Sequence, residues 1–244
     1  MVVEYDGTAF YGFQLQGQGE RTVQGVLQRT ITKLSGQETT VHGAGRTDTG
    51  VHARGQVVHF DTTWKVPIHK AGIALNGSLP NDVAVRECKE VDKEFHSRFS
   101  AKQRTYVYLI WTLEQRSALW GRYSMHEPRP LDVAAMSEVA FALQGRRDFA
   151  SFANKSEVEP PHMVRDLRRF DVRSAGRGRF IAVRLTADGF LRSMVRNLVG
   201  GLRMVGLGEI QPGQLYEIAE KADRTMNRCP TAAANGLCLW RVDY

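Results

Sequence analysis

A short glycine-rich stretch, residues 43–53 (GAGRTDTGVHA), constrains the backbone of this chain more than any other segment. Its three glycines indicate tight bends or a close approach to another group. One cation, Arg46, and one carboxylate, Asp48, lie between them, just before a predicted strand at residues 56–60. A charged pair on a rigid loop beside a sheet is a common way to present a carboxylate to a substrate. The spacing alone also fits an ordinary aspartate in a turn.

The composition is that of a globular protein with an excess of positive charge. Of 244 residues, 42% are hydrophobic and 24% charged, and 33 Lys and Arg against 26 Asp and Glu give a net charge of +7. This excess favours a polyanionic partner, nucleic acid first and a membrane surface second. The length allows one large domain or two modest ones.

Cysteine usage and the first residues predict a cytoplasmic protein. Cys88, Cys229 and Cys238 form no C-x-x-C pair and no closed disulfide framework, which fits a reducing compartment. No His and Cys cluster has the spacing of zinc ligands, so we expect no metal. The N-terminal residues lack a signal-peptide pattern, and no apolar run approaches membrane-spanning length, so we expect no membrane association.

Hydrophobic periodicity divides the chain into two halves with a similar order of elements. Predicted strands lie at residues 2–5, 56–60, 83–88, 104–111, 168–172, 179–186 and 237–242. Predicted helices lie at residues 23–35, 67–76, 131–143, 191–205 and 212–222. The second helix is expected to bury Ile68, Ala71, Ile73, Ala74 and Leu75. Loops are expected at residues 148–152 and 154–161.

This order predicts an α+β fold with two similar lobes that share a mostly antiparallel central sheet flanked by helices. The expected domains are residues 1–100, which carry the Asp48 loop, and residues 101–244.

The loop after the first strand is a candidate substrate contact. Phe10, Tyr11 and Phe13 could stack on bases, and Gln14 and Gln16 could hydrogen-bond base edges. The alternative is that each of these aromatic rings packs into the core.

A reactive carboxylate needs a neighbour that keeps it ionised and correctly oriented. An arginine within about 4–6 Å lowers the pKa of a carboxylate. Arg196 lies on an otherwise apolar predicted helix, and an arginine directed into a core needs a carboxylate partner, for which Asp48 is the candidate. Alternatively, the Arg196 side chain extends to solvent. Arg46 is too close to Asp48 in sequence to be assumed to face it and can instead reach a phosphate.

Residues 48–50 also match the Asp-Thr-Gly of aspartic proteases. Those enzymes need two carboxylates that share a proton. The chain contains no second motif of this kind, and Arg46 and Thr47 precede the motif instead of apolar strand residues. We therefore set the protease interpretation aside.

Several short motifs, taken in order, resemble the TruA family of tRNA pseudouridine synthases. They are EYDGT at 4–8, TVQ at 22–24, GRTDTGVHA at 45–53, FHSRFSA at 95–101 followed by Tyr106, GFL at 189–191, MVRN at 194–197 and GL at 236–237. Each motif alone is weak, but their order and gaps are specific and extend over the whole chain.

The resemblance implies an isomerase that converts uridine to pseudouridine in the anticodon stem-loop of tRNA, at positions 38, 39 and 40, without a metal or organic cofactor. It also implies an active-site cleft between the lobes, and a homodimer, because family members build the tRNA cleft across two subunits. Asp48 stands where the family has its catalytic aspartate, so the turn interpretation no longer holds for it.

The resemblance implies roles for four other residues. Arg46 matches an arginine that helps to displace and hold the target nucleotide. Tyr106 matches a tyrosine that stacks on the target base and is a candidate general base. Arg196 matches the basic residue that pairs with the aspartate, and Leu237 matches an apolar residue that packs against the base.

Three loop positions depart from the family pattern. Phe13 stands where tryptophan is usual, Thr49 where alanine is common, and Ala233 where proline is common. These changes concern the details of RNA contact, for which Phe13 and Gln14 remain candidates. A tRNA-binding module or chaperone without catalysis is the alternative function, and the intact Asp48, with Tyr106 and Arg196, argues against it.

Overall fold

The chain, described here from a computed structural model over residues 1–17, 19–155 and 162–244, divides into two units. The first unit contains Met1–Lys102 and Cys238–Tyr244, and the second contains Gln103–Leu237. The last strand, predicted for the second domain, lies in the first unit from Cys238 onward. The C-terminal residues return to the first unit because they pair with one of its strands, a contact that cannot be read along the chain.

The described residues form ten strands and five α-helices. The strands are β1 (Val2–Tyr5), β2 (His42–Gly43), β3 (His52–His59), β4 (Val83–Glu87), β5 (Gln103–Trp111), β6 (Met125–His126), β7 (Gly145–Asp148), β8 (Val164–Ala175), β9 (Phe180–Ala187) and β10 (Leu237–Asp243). The helices are α1 (Val23–Ser35), α2 (Ile68–Asn76), α3 (Val133–Ala142), α4 (Met194–Gly206) and α5 (Pro212–Glu220).

In the first unit the strand order is β4-β1-β3-β10, and β2 pairs with β3. Strand β10 runs parallel to β3, whereas the other pairings are antiparallel. Helix α1 begins after Thr22, whose side chain accepts a hydrogen bond from the Gly25 amide, and ends at Gly36, which has a φ of 71°. It buries an apolar face that includes Val26, Leu27 and Ile31.

In the second unit the strand order is β5-β9-β8-β7, all antiparallel, and β6 runs parallel to β5. The β5 and β9 strands pair in continuous register from Arg104 opposite Ala187 to Trp111 opposite Phe180. Helix α4 is amphipathic, and its buried face includes Met194, Leu198 and Leu202. The mixed sheet pairing with helices confirms the α+β class.

Most predicted elements are confirmed, and the differences have local causes. Strand β3 begins at His52 and β8 at Val164, each four residues before its predicted start. Strand β7 was not predicted because its sequence, GRRD, has no apolar alternation. Helix α4 begins after Ser193, whose φ of 58° is incompatible with an earlier helical turn.

The core assignment for helix α2 was wrong at Ile68 and Ile73, and Ala74 is only half-buried. Ile73 is 74% exposed and Ile68 is 41% exposed, whereas Ala71 and Leu75 are buried as predicted. The helix is apolar around most of its circumference, so its sequence does not indicate which face is covered.

The remaining expectations concern the loop predicted at residues 154–161 and the lack of a membrane-spanning segment. Of the loop predicted at 154–161, residues 156–161 lie outside the described residues. In the part of the chain that is described, no helix is both long and apolar enough to cross a membrane.

Candidate active site

The loop that carries Asp48 connects β2 to β3 and is fixed at its first residues by the side chain of Gln56. The Gln56 amide group donates to the carbonyl oxygen of Gly45 at 2.7 Å and accepts from the Gly45 amide at 3.3 Å. The Ala44 amide donates to the Val57 carbonyl at 2.8 Å. Because Gln56 is fully buried, these bonds hold the backbone beside Arg46 without competition from water.

Thr47 anchors the residue directly before Asp48. The hydroxyl groups of Tyr5 and Thr47 share a buried hydrogen bond of 2.9 Å, and the Phe13 amide donates to the Thr47 carbonyl at 3.0 Å. Burial raises the pKa of the Tyr5 phenol above its ordinary value, so the phenol stays protonated and keeps this bond. Thr47 is buried and Asp48 is half-buried, so the residue directly before Asp48 is fixed in the interior of the unit.

Two glycines allow neighbouring segments to reach the loop. At Gly12, where φ is +84°, an added Cβ would lie 2.8 Å from the Thr47 carbonyl oxygen. At Gly7, an added Cβ would lie 2.0 Å from the Val51 carbonyl oxygen. Both contacts are below any real Cβ distance, so the loop after β1 packs against the Asp48 loop only because these residues have no side chain.

Arg46 projects from the exposed side of the loop. Partial burial lowers the pKa of its guanidinium below the ordinary value, and the nearby positive charge of Arg98 lowers it further. A guanidinium stays charged after such a change, so Arg46 on the loop has a second cation near it, Arg98 from the segment between β4 and β5. Two arginines on one surface are suited to an anionic group such as a phosphate.

The two predicted substrate contacts of the first loop differ in their surroundings. Gln14 is exposed. Phe13 is only 3% exposed, and its ring packs so closely on Gly43 that an added Cβ there would lie 2.4 Å from a ring carbon. The buried ring supports the loop after β2, and this position does not favour a contact between Phe13 and a base.

Tyr106 and Leu237 belong to the second unit and are both largely buried. Tyr106 lies on β5 opposite Leu185 and is 8% exposed. Its ring contacts Phe190 edge to face, with the ring centroids 5.1 Å apart and the planes at 86°. Leu237, at the start of β10, is 5% exposed.

Arg196 is half-buried on α4 and forms hydrogen bonds with the segment before Leu237. Its Nε donates to the Ala232 carbonyl at 2.8 Å, and the Ala232 amide donates to the Arg196 carbonyl at 3.1 Å. The Tyr108 hydroxyl donates to the Ala233 carbonyl at 2.7 Å. The Arg196 side chain therefore does not simply extend to solvent, because its Nε is held against the backbone.

The predicted site residues fall into two sets. The first unit contains Asp48, Arg46, Phe13 and Gln14, and the second contains Tyr106, Arg196 and Leu237. Within the described residues, no group of three or more His, Cys, Asp or Glu side chains is placed to hold a metal ion.

Several residues that support these sets were not predicted from the sequence. Arg98 is within the FHSRFSA motif, so a signal for it was present, and Phe190 is within the GFL motif. Tyr5 is likewise within the EYDGT motif. Gln56 gave no signal, because a buried hydrogen bond to a loop depends on contacts that the sequence does not show.

Comparison with known proteins covers almost the whole chain. The sequence profile of a family described as tRNA pseudouridine synthase matches residues 1–100 and 139–244. A tRNA pseudouridine synthase A 2 of Bacillus cereus (strain ATCC 10987) is 38% identical, covering 100% of this chain and 98% of the relative.

Two other relatives carry the name tRNA pseudouridine synthase A. The protein of Geobacillus kaustophilus is 40% identical over 100% of this chain and 93% of its own length. The protein of Pseudothermotoga lettingae is 41% identical over 100% of this chain and 98% of its own length. Because the profile covers the motifs around Asp48 and Arg196, and these relatives cover the whole chain including Tyr106, the chain belongs to the tRNA pseudouridine synthase family.

Proposed function

We propose that this protein isomerises uridine to pseudouridine in the anticodon stem-loop of tRNA, with Asp48 as the catalytic residue. The observation that carries the proposal is the full-length similarity to proteins named tRNA pseudouridine synthase A, at 38–41% identity. The anchored Asp48 loop supports it, because a pinned backbone with a half-buried carboxylate is suited to hold a reactive group in one position.

The reaction requires the target base to leave the RNA stack. Its N1–C1′ bond breaks, the base turns, a C5–C1′ bond forms, the proton on C5 is lost and N1 gains a proton. The bond lies within a folded RNA, so the nucleotide must be extruded into a pocket, as in other base-modifying enzymes. A pocket closed to water keeps the detached uracil from escaping.

The residues of the second unit complete this proposal. Tyr106 stacks on the base, an interaction worth about 1–3 kcal/mol, and Leu237 packs beside it. Arg196 pairs with Asp48 in a cleft between the two lobes and keeps the carboxylate ionised. The fixed Nε of Arg196 supports this role, because an arginine held in one orientation loses less side-chain entropy when it binds a carboxylate.

The proposals for the partner and the cellular setting are based on the same family membership. We propose a homodimer that binds tRNA across its two subunits and acts in the cytoplasm. The net charge of +7 supports binding to a polyanion. Arg46 and Gln14, both exposed, are proposed to contact the RNA near the target nucleotide.

The proposal is tested by tritium release from tRNA labelled at uracil C5. The wild-type protein is expected to release tritium, and Asp48→Asn is expected to reduce the rate by about a thousandfold or more, as for other essential catalytic groups. Asp92→Asn, which changes an exposed aspartate outside the loop, serves as the control and keeps the wild-type rate. Wild-type release by Asp48→Asn would rule out the assigned chemistry. Tight tRNA binding by the wild-type protein without pseudouridine would instead favour a binding module.

A further inference from the structure

Four aromatic rings in the first unit form a cluster beside the Asp48 loop. We name His42, His59, His96 and Phe99 the ring cluster. The His42 and His59 rings stack with centroids 4.9 Å apart and planes at 21°. The His96 ring lies 4.6 Å from that of His59 and 4.3 Å from that of Phe99. The cluster has no part in the chemistry proposed for Asp48.

The hydrogen bonds within the cluster keep two of the imidazoles neutral. The Ser97 amide donates to Nδ1 of His59 at 3.1 Å, and the Ser97 hydroxyl lies 2.9 Å from both that nitrogen and the His42 carbonyl oxygen. The amides of Arg98 and Phe99 donate to Nδ1 of His96 at 3.1 and 3.3 Å. A ring nitrogen that accepts a hydrogen bond from a backbone amide carries no proton, so each of these imidazoles has its proton on Nε2.

The cluster is open to solvent at Phe99 and His42. Phe99 is 76% exposed, and His42 is also exposed. The Arg98 guanidinium lies 5.7 Å from the Phe99 ring centroid, and Arg98 is close enough to Arg46 to lower its pKa. An exposed phenylalanine beside neutral imidazoles and two arginines combines the features of a single-stranded RNA platform, on which bases stack while cations neutralise phosphates.

The position of the cluster relates it to the target nucleotide. His42 pairs with His59 across β2 and β3, and the chain continues from His42 directly into the Asp48 loop. Six residues of chain span at most about 20 Å, so the cluster lies within a few nucleotides of a base held at Asp48. Among the described residues, Asp61 and the N-terminal ammonium act electrostatically on His59, and Arg98 acts on His96.

Building on the proposed function, we propose that the ring cluster is a second RNA subsite, on which an unpaired base near the target uridine stacks, with Arg46 and Arg98 on the adjoining phosphates. A protein partner is less consistent with this surface, because the two arginines and the net charge of +7 favour a polyanion. The subsite would hold the RNA during the turnover of the base without touching the reacting atoms.

The first test compares two equally exposed phenylalanines. Phe99→Ala removes the exposed ring of the cluster, and Phe141→Ala removes a ring that is 75% exposed on α3 in the second unit. Binding of an anticodon stem-loop RNA is measured by fluorescence anisotropy. Phe99→Ala is expected to weaken binding about 5- to 150-fold, the range for loss of one stacked base, while Phe141→Ala stays within about twofold of wild type. Equal binding by Phe99→Ala and wild type overturns the proposal.

The second test identifies the stacked base. Stem-loop RNAs with one abasic position each are bound to wild type, Phe99→Ala and His42→Ala. One abasic position is expected to weaken wild-type binding strongly and binding by the two variants much less, because the base and the rings act as a pair. If every abasic position weakens binding of all three proteins by the same factor, the subsite does not exist.

Arg98→Gln and two solution measurements complete the design. Arg98→Gln is expected to reduce the slope of log K against log salt by about one, as for loss of one phosphate contact. Light scattering of Phe99→Ala distinguishes an RNA surface from a subunit interface, since dissociation with unchanged RNA binding overturns the proposal. Pseudouridine formation by the wild type on the same RNA is scored separately, so failure of the proposed activity and failure of the subsite give different results.

Discussion

At the scale of single residues, the Asp48 loop depends on neighbours that have no chemistry of their own. Thr47 is held by the Tyr5 hydroxyl and the Phe13 amide, and Gly45 by the amide group of Gln56. Gly12 allows the preceding loop to lie against Thr47. The carboxylate of Asp48 is therefore positioned by buried contacts at the residues before it, and small changes there should affect activity.

Gly12→Ala tests this positioning. The new Cβ would lie 2.8 Å from the Thr47 carbonyl oxygen at a φ of +84°, so the variant is expected to lose about 1–3 kcal/mol of unfolding free energy, measured by urea denaturation. Gly213→Ala is the control, because no atom lies within 4 Å of its added Cβ in helix α5, and it should be neutral or stabilising by up to about 1 kcal/mol. Equal stability of Gly12→Ala and wild type would show that the two loops can separate at no cost.

At the scale of elements, β2, β3 and the segment after Phe95 meet in the ring cluster. Burial, followed by the charges of His96 and His42, lowers the pKa of His59, and Asp61 only partly opposes this. Burial, followed by the charges of His42 and Arg98, lowers the pKa of His96. The folded state therefore binds fewer protons at these rings than the unfolded chain, and low pH should destabilise this part of the first unit.

The pH dependence gives a prediction with a definite sign. A histidine whose pKa is lowered by folding stabilises the folded state fully above its unfolded pKa of about 6.5. This stabilisation is lost as the pH falls through the pKa of the folded state. Wild-type Tm should therefore fall between pH 7.5 and pH 5.5. His96→Asn, whose side-chain oxygen can still accept hydrogen bonds from the backbone amides of Arg98 and Phe99, should show a smaller fall. His69→Asn on α2, outside the ring cluster, is the matched control variant. The same pH dependence in His96→Asn and wild type would contradict this assignment.

At the scale of the whole molecule, charge and assembly are the properties that reach beyond one site. The net charge of +7 predicts that RNA binding weakens steeply with salt, because each phosphate contact releases counterions.

The C-terminal strand β10 pairs with the first residues of β3, with Cys238 opposite His52 and Leu239 opposite Ala53. Truncation of the last seven residues should therefore disturb the first unit.

The assembly state is a separate prediction at this scale. We expect light scattering at working concentration to give twice the mass of one chain, because the proposed binding of tRNA across two subunits requires a dimer. The measurement should be repeated with Phe141→Ala and Phe99→Ala to separate assembly from RNA contact. A mass of one chain in every sample would contradict the predicted homodimer.

Signals between neighbouring residues were enough to predict several elements and the family to which the chain belongs. Thr22 and Gly36 mark the two ends of α1, and the alternation of β5 indicates a strand. The ordered motifs around Asp48 indicate the family. Capping, periodicity and motif spacing are all properties of neighbouring residues. Burial of Phe13, exposure of Ile73, the return of β10 to the first unit and the assembly of the ring cluster around Ser97 were decided only by the tertiary structure. Each of these depends on which distant segments pack together, and a side chain of a given type can be core or surface according to what covers it.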